Sequence, residues 1–498
     1  MSTTLRTSAL GVTAGLIGWF ILVEIVSGIL QGYYVPLFSD IVTELGIHDS
    51  DVNWFEAAQL LLSALVVPVL AKLGDMYGHK RILLIAAVLT AGATWWLAFA
   101  ASFWTFLIAW ALQGFYVVWL PLEIALIFER GRRQSRGVSL TRRAAGLLVV
   151  GLQAGAIMGA LAAGRIYAAT AGDMTLTLIV PAVAVTLVAA VIWLWVPEST
   201  PEPGRRRLDS RGFILLAFAL LLVTSALTFL RLNGPGALWV WALLLAGIVV
   251  FVVFGRFELH QPDPAVDVRM LARPEMWPVQ ATAFLVGISL LGAQGPLSTY
   301  AGTDPSLGYG LGLDATDRSN VIGVYLVSLI VGAVLFAVTS RRASPRIVLI
   351  VAALLVGVGY ALFLPFHREL WQVLLNLCIA GLGCGALVGA MPAAAAAAAP
   401  RGQTGVASAM TNTTKTIGGT FSSAVFGVVL AAGAGVVASE TAASLGGYLT
   451  VWAICAAGGF VAAVLLFVVP KVAFADADAS PVARSADGSG EAVTQPRG

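Results

Sequence analysis

Four ionisable side chains lie inside long apolar stretches of this 498-residue sequence: Glu24, Glu56, Glu123 and Lys415. A charge at the centre of a bilayer costs about 2.5–3.5 kcal/mol by insertion scales, so such groups are functional candidates wherever they occur. Glu24 precedes Ser27, Gly28 and Gln31 by three, four and seven residues, a spacing that puts all four on one helix face toward protein or water. A carboxyl there can take up and release a proton, whose passage is worth ~1.4 kcal/mol per pH unit and ~2.3 kcal/mol per 100 mV. The plain alternative is a hydrogen-bonded structural acid.

Glu56 shares a stripe with Gln59 and Ser63 near the outer end of its run, where it has a coupling or access role or is simply hydrated. Glu123 follows Pro121, a helix-kinking residue, and suits an inner-gate ion pair or proton carriage. Lys415 is placed to neutralise an acid across the molecule. Trp110, on one face with Gln113 and Gly114, offers an aromatic wall for a flat or cationic substrate, or simple packing. Asn412 joins Ser27, Gln31, Gln59 and Lys415 among the expected cavity-lining polar groups.

The elements that must position these groups follow from composition. With 59% hydrophobic and 11% charged residues, the chain departs from soluble domains, which carry about 25% charge. Its apolar residues form runs of roughly twenty, the length that crosses a bilayer. Six lie near 11–35, 53–71, 82–101, 104–127, 145–167 and 174–196. Two follow at 213–231 and 237–255, and six more near 277–300, 320–339, 347–366, 370–392, 407–432 and 446–469. The first is too long, and lacks a following small-residue cleavage site, to be a removable signal. The sequence therefore predicts an all-α integral membrane protein with 14 spans.

Lys and Arg concentrate in alternate loops. With the N-terminus inside, 24 fall on the inner side and 4 outside (Arg165, Arg231, Arg318 and Arg368), leaving Lys415 within a span. Positive charge is retained on the cytoplasmic side, so both termini are expected there, in the plasma membrane. Trp54, Trp104, Trp239, Trp277 and Trp371 near span ends are expected at the headgroups. The basic residues sit in short clusters rather than on one face, which argues against nucleic acid. Cys378, Cys384 and Cys455 all fall in apolar runs, so neither a disulfide framework nor a metal site is expected, and no cofactor.

A shift of 265 residues lays Arg81-Ile-Leu-Leu-Ile85 over Arg346-Ile-Val-Leu-Ile350, each opening the third span of a block of six. The expected organisation is a six-helix bundle over 1–196, a linker with two extra spans over 197–275, a second bundle over 276–470 and a disordered tail over 471–498. Transporters built from such repeats bind substrate between the halves near the midplane.

The loop Leu73-Gly-Asp75-Met-Tyr-Gly78-His-Lys80-Arg81 resembles the signature loop of the major facilitators, G-x-L-a-D-r-x-G-r-k. On that resemblance Gly74, Asp75, Gly78, Lys80 and Arg81, with Glu129, form an inner gate. Gln113-Gly114 and Pro121, Glu129 and Arg136, Asp267-Val-Arg269, and Gly405 to Asn412 running into Lys415-Thr-Ile-Gly418-Gly419 extend the likeness to the drug:proton antiporter-2 group, whose members span 14 times. Departures touch coupling. Trp110 stands where the group has an arginine, Ser27 where it has an acid nine residues before Pro36, and Gly159-Ala-Leu-Ala-Ala-Gly164 replaces G-P-x-x-G-G. Glu24, one turn from the missing acid, is a candidate replacement.

The resemblance implies a secondary transporter that exports amphipathic or aromatic drugs or antibiotics against protons, acting as a monomer. Transport of lipids or lipid-linked metabolites with weak or no coupling, and solute uptake, remain open. An intramembrane enzyme is disfavoured because His48, His79, His260 and His367 lie in loops or at helix ends.

Overall fold

The computed structural model describes residues 2–132, 137–198, 209–262, 264, 266–340, 342–399, 404–432 and 441–468. Arg136, Arg205 to Arg207 and the tail from Lys471 lie outside them. Among the described residues the fold is all-helical, with fourteen helices long and apolar enough to cross a bilayer. The first six are α1 (Gly15–Leu45), α2 (Asp49–Tyr77), α3 (His79–Ala98), α4 (Phe103–Arg130), α5 (Ala144–Ala169) and α6 (Met174–Trp195). The extra pair is α7 (Ser210–Leu230) and α8 (Leu238–Glu258). The second six are α9 (Trp277–Gly302), α10 (Ala315–Thr339), α11 (Pro345–Leu362), α12 (Leu370–Ala398), α13 (Met410–Ala432) and α14 (Leu445–Val468).

Lipid leaves no solvent for stray backbone groups, so each run closes its hydrogen bonds within its own helix. Without a hydrophobic drive between helices, close approach must come from small residues. Gly28 of α1 and Gly155 of α5 meet in this way: a Cβ on either would lie 1.9 Å from a carbonyl oxygen of the partner, Leu152 or Ile25. Gly287 and Gly418 bring α9 against α13 equally closely, so the repeated halves share one device. Gly381 and Gly385 fit α12 to α10, and Gly383 fits it to α11. Gly155→Ala should therefore destabilise the protein by about 1–3 kcal/mol, because a backbone carbonyl cannot step aside as a side chain can. Thermal unfolding in detergent would measure it, and an unchanged midpoint would mean the crossing is looser than it looks.

The halves meet along two seams, α2 against α13 and α5 against α10. The extra pair sits outside the first seam, where Leu216 and Leu220 of α7 and Phe254 of α8 pack with Leu61 and Leu65 of α2 and Ile417 and Phe421 of α13. Trp104, Trp239, Trp277 and Trp371 are exposed near helix ends, as headgroup-level rings should be. Trp54 is not: it is buried at the α2–α13 seam against Gly427.

Several helices outrun their apolar cores. α1 continues through a 3-10 turn at Val35–Leu37, and α10 starts at Ala315, capped by the Asp314 side chain, rather than near 320. Polar residues expected in loops are thereby drawn into the body of the protein.

Candidate functional site

Two breaks shape the interior. α4 tightens to a 3-10 segment over Gly114–Val118 just before Pro121, whose missing N–H leaves the Val117 carbonyl without its helical donor. α9 widens to a π-turn over Ile288–Gly292 before restarting at Gln294; there Pro296 has the same effect on Gly292.

Beyond the α4 break, Glu123 faces Glu24 of α1. Both are fully buried, and their carboxyl groups lie close enough to interact directly. A carboxylate can only accept, so a hydrogen bond between the two would need one of them to carry a proton. No donor from elsewhere among the described residues reaches any of the four oxygens. The pair sits about seven residues, roughly 10 Å, from the Arg130 end of α4. An ion pair at the inner mouth, one of two roles read for Glu123, does not form here. Ser27 is buried one turn from Glu24, and Gln31 is exposed one turn further on.

Glu56 is buried as well, not hydrated at a surface. Its carboxyl group lies against Gly295, at the start of the restarted segment of α9, where a Cβ would come 3.3 Å from one of its oxygens, so it sits at the contact between the halves. Asn53 turns its side-chain oxygen to the same glycine. Gln59 is half-buried, and its carbonyl accepts from Ser63, whose hydroxyl also reaches the Gly114 carbonyl at 3.1 Å.

Trp110 does not line an open wall. It is buried among Tyr34, Phe38, Phe55 and Phe106, with the Tyr34 ring 4.8 Å away edge-on. Gln113 is committed too, donating to the Tyr34 hydroxyl at 2.9 Å and to Thr94 at 3.1 Å. Trp110→Ala is expected to lose about 3–5 kcal/mol of stability, whereas Trp110→Phe should leave substrate affinity unchanged. A weakened affinity in a well-folded Phe variant would restore the ring to the binding surface.

In the second half, exposed Asn412 and half-buried Lys415 border a small recess with Met391 and Pro392. Lys415 meets no acid among the described residues, so the expected neutralising partner is not in place.

The loop between α2 and α3 turns at Gly78, where φ of 100° favours glycine. Gly74 leaves room for Leu122, since a Cβ would lie 2.7 Å from it. His79, which the sequence reading passed over, sits between two acids, 3.2 Å from Asp75 and 3.7 Å from Glu129. Lys80 donates to the Trp193 carbonyl at 3.2 Å and pairs with Glu198 at 3.4 Å, while Arg81 is exposed. The loop thus ties α2 and α3 to the ends of α4 and α6. Arg346 does the corresponding work in the second half, donating to the Leu466 carbonyl at 3.2 Å.

At the opposite end the halves are joined by hydrogen bonds. Buried Arg318 of α10 holds the Pro36 carbonyl at 2.9 Å and pairs with Asp40, both on α1. The Ser298 hydroxyl donates to the Val35 carbonyl. Gly164 N–H donates to Ser319 at 2.9 Å, and Asp49 accepts from Tyr448 at 3.1 Å and Ala443 at 3.2 Å. The molecule is sealed at one end, with buried acids beneath the seal.

Comparison with known proteins agrees with this architecture. The chain is 26% identical over 465 residues to a probable actinorhodin transporter of Streptomyces coelicolor, covering 88% of this chain and 74% of that one. It is 25% identical over 403 residues to a triacylglyceride transporter of Mycobacteroides abscessus, covering 77% and 76%. A solved peptide transporter in complex with sulfate superposes with a TM-score of 0.65 at 16% identity, over 92% of this chain and 95% of that one. The model of the Major Facilitator Superfamily matches residues 20–423; with fourteen spans, two seams between repeated halves and the signature loop at the end of α2, the chain belongs to that superfamily.

Proposed function

We propose that the protein is a proton-coupled exporter of amphipathic or aromatic compounds such as antibiotics, working by alternating access, with the Glu24–Glu123 pair as its proton carrier. The observation that carries this reading is the burial of two carboxyls against each other with no cation among the described residues beside them. Such a pair changes charge cheaply only by gaining or losing a proton. The similarity to a named actinorhodin transporter supports the substrate class.

In this reading the division of the chain is a bundle over 1–196, a linker with the extra pair over 197–275 and a second bundle over 276–470. The protein acts as a monomer in the plasma membrane with both termini cytoplasmic, as the Lys and Arg distribution supports. The sealed end then faces outward, and Gln31, Gln59, Asn412 and Lys415 border the substrate path from within.

A second reading, transport of lipids with little or no proton coupling, draws on the similarity to a named triacylglyceride transporter and on Trp110 in the arginine position. One experiment separates the two. Expression in cells stripped of other pumps should lower accumulation of a fluorescent aromatic dye, and an uncoupler should restore it. Lowered accumulation that an uncoupler leaves untouched would favour the lipid-type carrier, and unchanged accumulation would remove the exporter reading.

A further inference from the structure

A groove of about 520 Å³ follows the α5–α10 seam, lined among others by Leu161, Val324, Val327, Val331 and Leu382. It opens sideways. Val324, Val327 and Val331 are exposed, as are Trp371 and Leu375, which share a face of α12 with Cys378 and Leu382. Apolar side chains exposed toward the sealed end face lipid, since the bonds between the halves close that end. From Asn320 to Val331 is eleven residues, roughly 16 Å of helix, or about half the ~30 Å hydrocarbon thickness. That is the reach of one acyl chain in one leaflet.

At the headgroup end of the groove lies Arg165, exposed one turn from the end of α5. Its guanidinium donates to the Leu161 carbonyl at 2.6 Å and to the Asn320 side-chain oxygen at 3.1 Å. Both acceptors are neutral, and no carboxylate among the described residues balances the charge. A planar guanidinium complements a phosphate, and its charge draws an anionic headgroup over a zwitterionic one.

We propose that this groove docks one anionic phospholipid, its phosphate on Arg165 and one acyl chain along Val324 to Val331. Leu161 and Arg165 belong to the first half and the α10 and α12 walls to the second, so the lipid touches both. The adjoining contact of Gly164 with the Ala315 carbonyl holds the two walls at this spacing. The bound lipid accordingly favours the sealed state, because anything that binds one conformation alone shifts the balance toward it.

Native mass spectrometry of the purified full chain, with phosphatidylglycerol and phosphatidylcholine of equal acyl length, tests the proposal. The protein should retain one phosphatidylglycerol about fivefold more strongly than phosphatidylcholine, the scale of one basic group near an anionic surface. Arg165→Gln should erase the preference and Arg165→Lys keep most of it. Val327→Trp, which fills the groove, should weaken retention of both lipids. Should that variant fold poorly, the two exposed Arg165 substitutions decide alone. Equal retention of the two lipids by the unaltered protein, or a preference that survives Arg165→Gln, would mean an annular lipid only and overturn the proposal.

Discussion

Replacing Glu24 by glutamine is expected to abolish export against a gradient while leaving downhill exchange of substrate intact. Glutamine keeps the size of the side chain and can still donate a hydrogen bond to Glu123, so the packing of α1 against α4 should hold. It cannot release a proton. If one proton enters for each neutral substrate that leaves, a pH difference of one unit and 100 mV together supply roughly 3.7 kcal/mol, enough for an accumulation ratio of roughly 500. The variant should bring that ratio to about one. Reconstituted vesicles with imposed gradients would measure the uphill ratio, and counterflow in the same vesicles would report whether the carrier still turns over.

The pair makes a sharper statement than either acid alone. Glu123→Gln should reproduce the phenotype, because on the proposed coupling both residues hold the same proton. The double substitution should be no worse than either single one, since groups acting as a unit are not additive. Uphill export surviving in Glu24→Gln, or a double variant far more damaged than the singles, would mean the two carboxyls work separately. Loss of counterflow along with uphill export would point instead to damage in the moving parts.

Much of this architecture was legible in the residue string, for reasons that are physical. Twenty-residue apolar runs have one stable fate in lipid, so the number of spans follows from length and hydrophobicity alone. The signature loop was legible because Gly78 needs its positive φ and Asp75 its neighbours in any protein that builds this turn. The polar interior was harder. Glu24 and Glu123 are 99 positions apart in the sequence, and nothing local to either announces the other; only the Gly28–Gly155 crossing and the α4 break bring them together. Trp110 misled for a related reason: helical periodicity gives a face, not what that face meets. Its burial follows from Tyr34 at the end of the first apolar run and Phe38 just past it. His79 was overlooked because it stands at a basic position of a loop read for its basic charge. Its placement between Asp75 and Glu129 depends on α4 running three residues beyond its apolar core, to Arg130.

Arg318 was hidden in the same way, and its removal should unseal the protein. Hydropathy put it in a loop because α10 opens with a polar turn, yet the helix starts at Ala315 and carries the guanidinium into the seam, 4% exposed. There it satisfies three acceptors from both halves: the Pro36 carbonyl, the Leu313 carbonyl at 2.8 Å and the Asp40 carboxylate. Deleting one partner of a buried pair costs about 3–5 kcal/mol. Asp40, 19% exposed, can recover some hydration, which lowers the expected loss to about 2 kcal/mol. Because the Pro36 and Asp40 bonds exist only when this end is closed, that loss falls on one conformation, and Arg318→Ala should move the balance toward its opening roughly 30-fold. A buried cysteine at Ser298, which gives up the hydroxyl bond to Val35 equally in both backgrounds, would report it: an impermeant thiol reagent added on the sealed side should label it at least tenfold faster with Arg318→Ala than without, with the parent chain controlling for Cys378. Lysine should not rescue the seal, since a single ammonium cannot span three acceptors held apart by a guanidinium. Asp40→Asn should unseal it less, because Arg318 keeps both carbonyls. Equal labelling with and without Arg318 would place the closing force elsewhere along the seam, in the glycine contacts of α5 with α10, and leave the ion pair a passenger of closure.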